Sequence, residues 1–565
     1  MNSRLIWQQF KVILFVKGLI ALLFASPEVA SAIDIKNTNY PIPSGAYFVS
    51  PDGKASNSCK TPGSPCTVEK ALQSAPSGAT LVFRGGSYHN VAAQIAKKLT
   101  LQAYPGEQPW LKGSIVVTDW VNSGGVWRKD GWKYSFPPNL IKKYYDPQYP
   151  QAGYRDMIYV NGKPLKQVLS KNKVGAGTFY VDYGANQLYI GDNPAGKTVE
   201  ATVREEGFSI TKPGSGTVIR GLGMTHYADH AIYATAHNLT LENCSVAWNG
   251  VFGVGISGGT DATLRGNTFS YNGLVGVRGN RADRLLMENN TISHNNNEHF
   301  SIKWSGAGFK IGRTRGAIVR GNRAEYNLGT GIWTDNSSSD LTIVNNTSKY
   351  NAEMGIYMEI SHKAIIASNV SHNNKAGILV LNSSSARIYN NTLANNDINL
   401  RIRDTERNNT NSKEIKAGIT WVSRDHIVKN NIFSNTTAGA LFDAESCKTK
   451  QPSHMMIDAA DYNAYYRTVP SKPHDAVQWT LGASKCKVGY STVAAFKSAT
   501  GFEANSLVID GGSDPFFVNA ANGDFRLKSG SKAFGKGTAL PADIAKAIGI
   551  GLPPGVGVSL GAFQY

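Results

Sequence analysis

An all-β chain wound as a right-handed parallel β-helix, carrying an inserted antiparallel β subdomain and a short N-terminal capping helix, is the fold this sequence predicts. Two observations point to the helix. An anchor position recurs across residues 216–406 as Leu222, Cys244, Asn267, Asn290, Asn322, Asn346, Asn369 and Asn391, with gaps of 22, 23, 23, 32, 24, 23 and 22 residues. Each unit joins a β-rich segment, an Asn-containing turn, a second turn such as Trp248-Asn249, and a short strand opening with Gly. A period of that length with stacked Asn and no helical signal fits the coils of a solenoid. Leucine-rich repeats share the period but need a Leu framework that is missing here. A third observation, a change of pattern before the repeat, points to the insertion.

Taken in order, residues 1–32 read as a secretory leader. Arg4 and Lys11 precede the apolar run 12–25, broken only by Lys17, and Ala30-Ser31-Ala32 supplies small residues for cleavage. The expected location is therefore periplasmic or extracellular, and no later segment is apolar enough to span a bilayer. Residues 33–113 are expected to form the N-terminal cap and first coils. They hold a helix capped by Thr67, with Val68, Ala71, Leu72 and Ala75 on one face, then the strand 79–83. Such a helix can plug the open end of a solenoid. Residues 114–205 change to aromatic-rich alternating segments separated by turns, the pattern of an antiparallel subdomain with Trp120, Trp127 and Trp132 in its core. The β-helix proper is assigned to 206–440, and 441–565 to the last coils and a C-terminal cap.

Five cysteines fit an oxidising compartment. Cys59 with Cys66 and Cys447 with Cys486 are positioned to pair, and Cys244 falls in the ladder as a buried thiol. The formal charge is +18. The leader contributes Arg4, Lys11 and Lys17 against Glu28, so the remaining chain is still about +16. With no basic helix or RNA-binding motif in an exported chain, nucleic acid is excluded as a partner. The expected partner is a polysaccharide or oligosaccharide, with an acidic glycan the sharper reading of the charge; oligomeric state is not legible.

Chemistry concentrates where one phrase occurs twice. Gly331-Ile332-Trp333-Thr334-Asp335 is followed 24 residues later by Gly355-Ile356-Tyr357-Met358-Glu359. Strand side chains alternate, so with Ile332, Thr334, Ile356 and Met358 inward, Trp333, Asp335, Tyr357 and Glu359 face out. Adjacent rungs lie about 4.8 Å apart, which places the two carboxyls near the roughly 5–5.5 Å of a retaining glycosidase and below the roughly 6.5–9.5 Å of an inverting one. Like charges that close cannot both ionise cheaply, so one carboxyl should be pushed up. Trp333 and Tyr357 offer aromatic faces for sugar stacking. In the preceding unit Lys310 faces out to bind a substrate oxygen or balance Asp335, and Gly312 leaves room in the carboxylate column. The one long gap, 32, comes from an insertion at 295–305, whose Glu298, His299 and Trp304 are placed to wall a cleft. Arg278 and Arg313 point outward as candidate carboxylate binders. The bland alternative is a solvated acidic pair, at most holding a cation such as Ca2+; no cofactor is implied.

Gly331–Asp335, Met358-Glu359-Ile360-Ser361-His362 and Gly308-Phe309-Lys310 together resemble the catalytic stretch of glycoside hydrolase family 120, the β-xylosidases. The resemblance runs from Tyr47-Phe48-Val49-Ser50-Pro51-Asp52-Gly53 through Met157-Ile158-Tyr159-Val160-Asn161-Gly162 to about residue 380. It implies a parallel β-helix interrupted by a β-sandwich, Asp335 as nucleophile and Glu359 as acid/base. His226 also fits the resemblance and would reach sugar hydroxyls. Two rivals remain: a polysaccharide lyase or C5-epimerase acting on uronic-acid polymers, with Lys310 or His299 as base, and a non-catalytic glycan-binding solenoid.

Overall fold

Three sheets of 13 strands each wind the chain into a parallel β-helix. The computed structural model describes residues 33–483, 485–551 and 557–563; the leader read at 1–32 lies outside them. The first sheet runs from Tyr47–Val49 to Ile457–Asp461, the second from Ala93–Ile95 to Val488–Tyr490, and the third from Gly86–Tyr88 to Leu507–Asp510. Inward side chains stack coil on coil. In the second sheet Phe309, Ile332, Ile356, Ile378, Leu400 and Phe442 form one register column, all fully buried. Burying each such side chain is worth roughly 1.5–3 kcal/mol, so the repeat of apolar residues at alternate positions is what holds the coils in register.

The anchor column is a ladder of amides inside the turn between the first and third sheets. Asn322 Nδ2 donates to Asn346 Oδ1 at 3.0 Å and to the Met287 carbonyl at 2.9 Å, while its Oδ1 accepts from the Asn290 backbone and side chain. Each buried amide thus satisfies neighbours above and below, which an apolar residue cannot do. The residue before the ladder position has positive φ (Asn289, Gly321, Asn345, Ser368, Asn390), a region that tolerates Gly and Asn best. That explains the recurring Asn-Asn and Gly-Asn pairs. Cys244 holds its ladder place through its backbone N–H, 2.9 Å from Asn267 Oδ1, and is a buried free thiol.

The ladder outlasts the sequence signal. It skips an insertion at 404–425 and continues through Asn431 and Asn463. Asn463 then donates to the buried Glu503 carboxylate, which also accepts from Tyr465. Burial raises Glu503 from 4.5 to about 7, against the pull of its hydrogen bonds. The folded state therefore holds a proton that the unfolded state releases between 4.5 and about 7, and stability falls as pH rises through that window. Glu503→Gln, which keeps an acceptor for Asn463, is expected to remove that part of the pH dependence. Thermal unfolding of both proteins from pH 5 to 8 checks it; an unchanged slope would contradict the assignment.

The helix Val68–Ser74, capped where Thr67 accepts from Lys70 N–H at 3.2 Å, sets Val68 and Ala71 into the core. Cys59–Cys66 and Cys447–Cys486 are disulfides. Between Ser114 and Thr202 lie a four-stranded and a five-stranded sheet, mostly antiparallel, with Trp132 buried and Trp120 and Trp127 packed against it. At the far end the helix Val493–Thr500 plugs the core with Val493 and Phe496. The final residues do not all cap. The hairpin Phe517–Asn519 and Asp524–Leu527 joins a separate cluster with Val370, Ala394, Ile432 and Ala464 of the third sheet. The helix Ala542–Ile548 packs beside Val344, Ala367 and Tyr389 of the first. Outward apolar residues on those two sheets require this cover.

Candidate active site

Four consecutive strands of the second sheet build the site: β1 (Val275–Asn280), β2 (Ala307–Gly312), β3 (Thr330–Asp335) and β4 (Met354–Glu359). Their outward columns are Arg278, Lys310, Trp333, Tyr357 and, one step on, Asn280, Gly312, Asp335, Glu359. The β3–β4 pairing runs through Thr334 opposite Met358, and Asp335 and Glu359 are the next residues on the two strands. A cavity of about 730 Å³ opens on this face. Arg278, Lys310, Trp333, Asp335 and Glu359 line it, with Lys143, Tyr144, Lys303 and Trp304 on one side and Arg407 and Trp421 on the other. Beside Asp335, Gly312 lines the cavity, and a Cβ there would rest in ordinary contact with Asn336 Cβ at 3.5 Å.

The two carboxyls have different partners. Asp335 Oδ2 lies 3.0 Å from Lys310 Nζ, which also donates to the Trp304 carbonyl at 2.7 Å. Glu359 accepts from Trp333 Nε1 at 3.1 Å and is ion-paired to Arg407. Burial first, then the Asp335 charge, raise the Glu359 carboxyl above the ordinary value, and Arg407 and Lys310 only partly offset this. Burial lowers Lys310, with Asp335 opposing. One carboxyl thus sits beside an ammonium, and the other is biased towards its protonated form. Among the described residues no group of three or more His, Cys, Asp or Glu is arranged to hold a metal ion.

Several expected site residues do something else. The Trp333 ring is covered on one face by Lys310, whose Nζ is 3.3 Å from its centroid, and by Tyr357 stacked at 5.1 Å. Neither ring presents a free face for a sugar, and Tyr357 does not line the cavity; the pair is a support under the carboxylates. Tyr144, Trp304 and Trp421 are the aromatic groups at its walls. His226 is buried under the inserted subdomain, stacked on Tyr159 at 3.6 Å and hydrogen-bonded to Ser114 Oγ at 2.9 Å, and burial holds it neutral. Glu298 and His299 line a different, smaller cavity between the insertion at 295–305 and the inserted subdomain, where His299 stacks on Tyr149. His299 is therefore not available as a base beside Asp335. His362 hydrogen-bonds Ser384 on the next coil.

Arg407 and Trp421 were not legible as site residues. They arrive on the insertion at 404–425, which is pinned to the corner where Glu414 accepts from Ser337 Oγ at 2.6 Å and Trp421 Nε1 donates to the same hydroxyl at 2.9 Å. The gap of 40 residues between Asn391 and Asn431 is the one signal that marks it.

A family model described as a right-handed β-helix region matches residues 230–398. The fold is a right-handed parallel β-helix. Among solved structures, a complex of XylC with xylose aligns with a TM-score of 0.60 at 15% identity, over 83% of this chain and 86% of that one. Pectate lyase Pel9A aligns at 0.44 and 13%, over 92% and 96%. The mannuronan C-5 epimerase AlgE6 A-module of Azotobacter vinelandii aligns at 0.44 and 13%, over 79% and 94%. At these identities the likeness is one of fold. No curated protein sequence matches.

Proposed function

We propose that this right-handed β-helix protein is a carbohydrate-active enzyme, a retaining glycoside hydrolase working on a polysaccharide or its oligosaccharides outside the cytoplasm. The single observation that carries the reading is the pairing of Asp335 and Glu359 on neighbouring coils with opposite electrostatic settings. Lys310 Nζ, 3.0 Å from Asp335 Oδ2, pairs with the residue placed to act as nucleophile. Burial and the Asp335 charge favour a protonated Glu359, the form a general acid needs. Adjacent rungs at about 4.8 Å suit direct attack by one carboxylate at the anomeric carbon, with too little space for a water between them.

In this mechanism Asp335 forms a covalent bond to the anomeric carbon as Glu359 gives its proton to the leaving oxygen. Glu359, now a base, takes a proton from the water that releases the sugar. Arg407 must first yield its Glu359 oxygen to the substrate, and its place on a separate insertion lets it do so. The fold likeness to the XylC–xylose complex supports a sugar ligand on this scaffold.

The lyase or epimerase reading keeps one supporting feature, the desolvated Lys310 as a candidate base among arginines. A panel of aryl glycosides and uronic-acid polymers separates the two. Turnover of a glycoside, with no product absorbing in the ultraviolet, is the expected result. An unsaturated, ultraviolet-absorbing product would overturn the hydrolase reading.

A further inference from the structure

The carboxylate-bearing cavity continues around the corner of the solenoid. At the ends of β1 to β4 the chain turns from the second sheet toward the first, and the residues just beyond line a second groove of about 890 Å³. Arg313 borders both cavities, and Arg281, Ser337 and His362 line the groove within two residues of Asn280, Asn336 and Ile360 in the first. The insertion at 404–425 walls both, with Arg407 and Trp421 over the first and Lys413 and Glu414 over the second.

The charge of this combined surface is lopsided. Ten Lys and Arg side chains line it against five carboxylates, a steeper excess than the 58 to 40 of the whole chain. Most of the carboxylates are already engaged: Asp335 by Lys310, Glu359 by Arg407, Asp283 by Arg315, and Glu414 by Ser337 and Asn409. Arg278, Arg281, Arg313, Lys363 and Lys413 have no ion pair among the described residues. Two of them are costly to place. Arg281 and Arg313 lie one coil apart at corner positions with φ of 53° and 52°, as the ladder of backbone bonds from Arg281 N to Gly312 O requires. That backbone favours Gly or Asn, and stacking like charges is unfavourable. Positive φ recurs at corners along the solenoid, Asp261 and Tyr326 among them, so what sets this cleft apart is the basic charge stacked there without an ion pair among the described residues.

We infer that the cleft takes an anionic glycan, whose carboxylates are held by Arg281, Arg313, Lys363 and Lys413 along the corner groove while one unit sits beside Asp335 and Glu359. Uronate units supply the chemistry, because a guanidinium binds a carboxylate through two parallel N–H bonds. The inference rests on the hydrolase reading only for where the reacting unit lies, so binding is measured apart from turnover.

Oligomers of galacturonate, glucuronate and mannuronate, each with its methyl-esterified counterpart, are titrated against Glu359→Gln protein at physiological salt, where weak general attraction is screened. At least one acid oligomer should bind about tenfold or more tightly than its ester. The triple variant Arg281→Glu, Lys363→Glu, Lys413→Glu should lose about tenfold or more of that affinity. Lys532→Glu, Lys536→Glu, Lys546→Glu, an equal charge change elsewhere, should leave it intact. Equal affinity for acid and ester, or equal losses in the two triple variants, would overturn the inference. Tight, groove-dependent binding without any hydrolysis would retain it and remove the hydrolase reading instead.

Discussion

Glu359→Ala should lose about 10² to 10⁴ of kcat/KM on a glycoside with a poor leaving group, and on one with an activated leaving group azide should raise its turnover by giving a glycosyl azide. The reasoning is geometric. Removing the carboxyl leaves a space at the edge of a cavity of about 730 Å³, where a small anion can attack the covalent sugar without general-base help. Asp335→Asn should fall at least about a thousandfold and gain nothing from azide in the same direction, since the first bond to the sugar can no longer form. A leaving group that departs without a proton should spare Glu359→Ala and not Asp335→Asn. If both variants lose equally on every substrate and azide rescues neither, the division of labour between the two carboxyls is wrong.

The second large effect concerns the alkaline limit of activity. Arg407 is the strongest influence holding the Glu359 carboxyl down, against burial and the Asp335 charge, which push it up. Arg407→Met deletes the cation and keeps the stem. Glu359 should then stay protonated to higher pH, and the falling limb of kcat/KM should move up by about one unit or more. The direction follows because a general acid is active while it carries its proton. The rate at the optimum should also drop, since Glu359 loses one of the two groups that orient it. A limb that stays in place, or moves down, would show that another group sets it.

What the chain reveals in advance depends on how local the determinant is. The repeat is readable because every coil needs the same buried amide, so Asn290, Asn322, Asn346, Asn369 and Asn391 recur where the turn demands them. The outward column of Asp335 and Glu359 is readable for the same reason: alternation fixes the face, and the shared period fixes the neighbour. The accessibility of Trp333 and Tyr357 is not readable, because it depends on side chains from three successive rungs closing on each other. Arg407 is hidden for a different reason. It belongs to an insertion that shares no pattern with the coils and is held to them by contacts such as Glu414 with Ser337 and Asn382 with Asp404. His226 illustrates the opposite error, since a polar residue in a promising motif is taken up by Ser114 and Tyr159 beneath the inserted subdomain.

The anomeric configuration of the first product, followed by proton NMR from the moment of mixing, interrogates the carboxyl pair without any mutation. Two carboxyls on adjacent rungs, acting in turn on one carbon, give a product with the configuration of the substrate. A first product of inverted configuration would mean that a water fits between Asp335 and Glu359, and the arrangement described for this cleft could not be the one that breaks the bond.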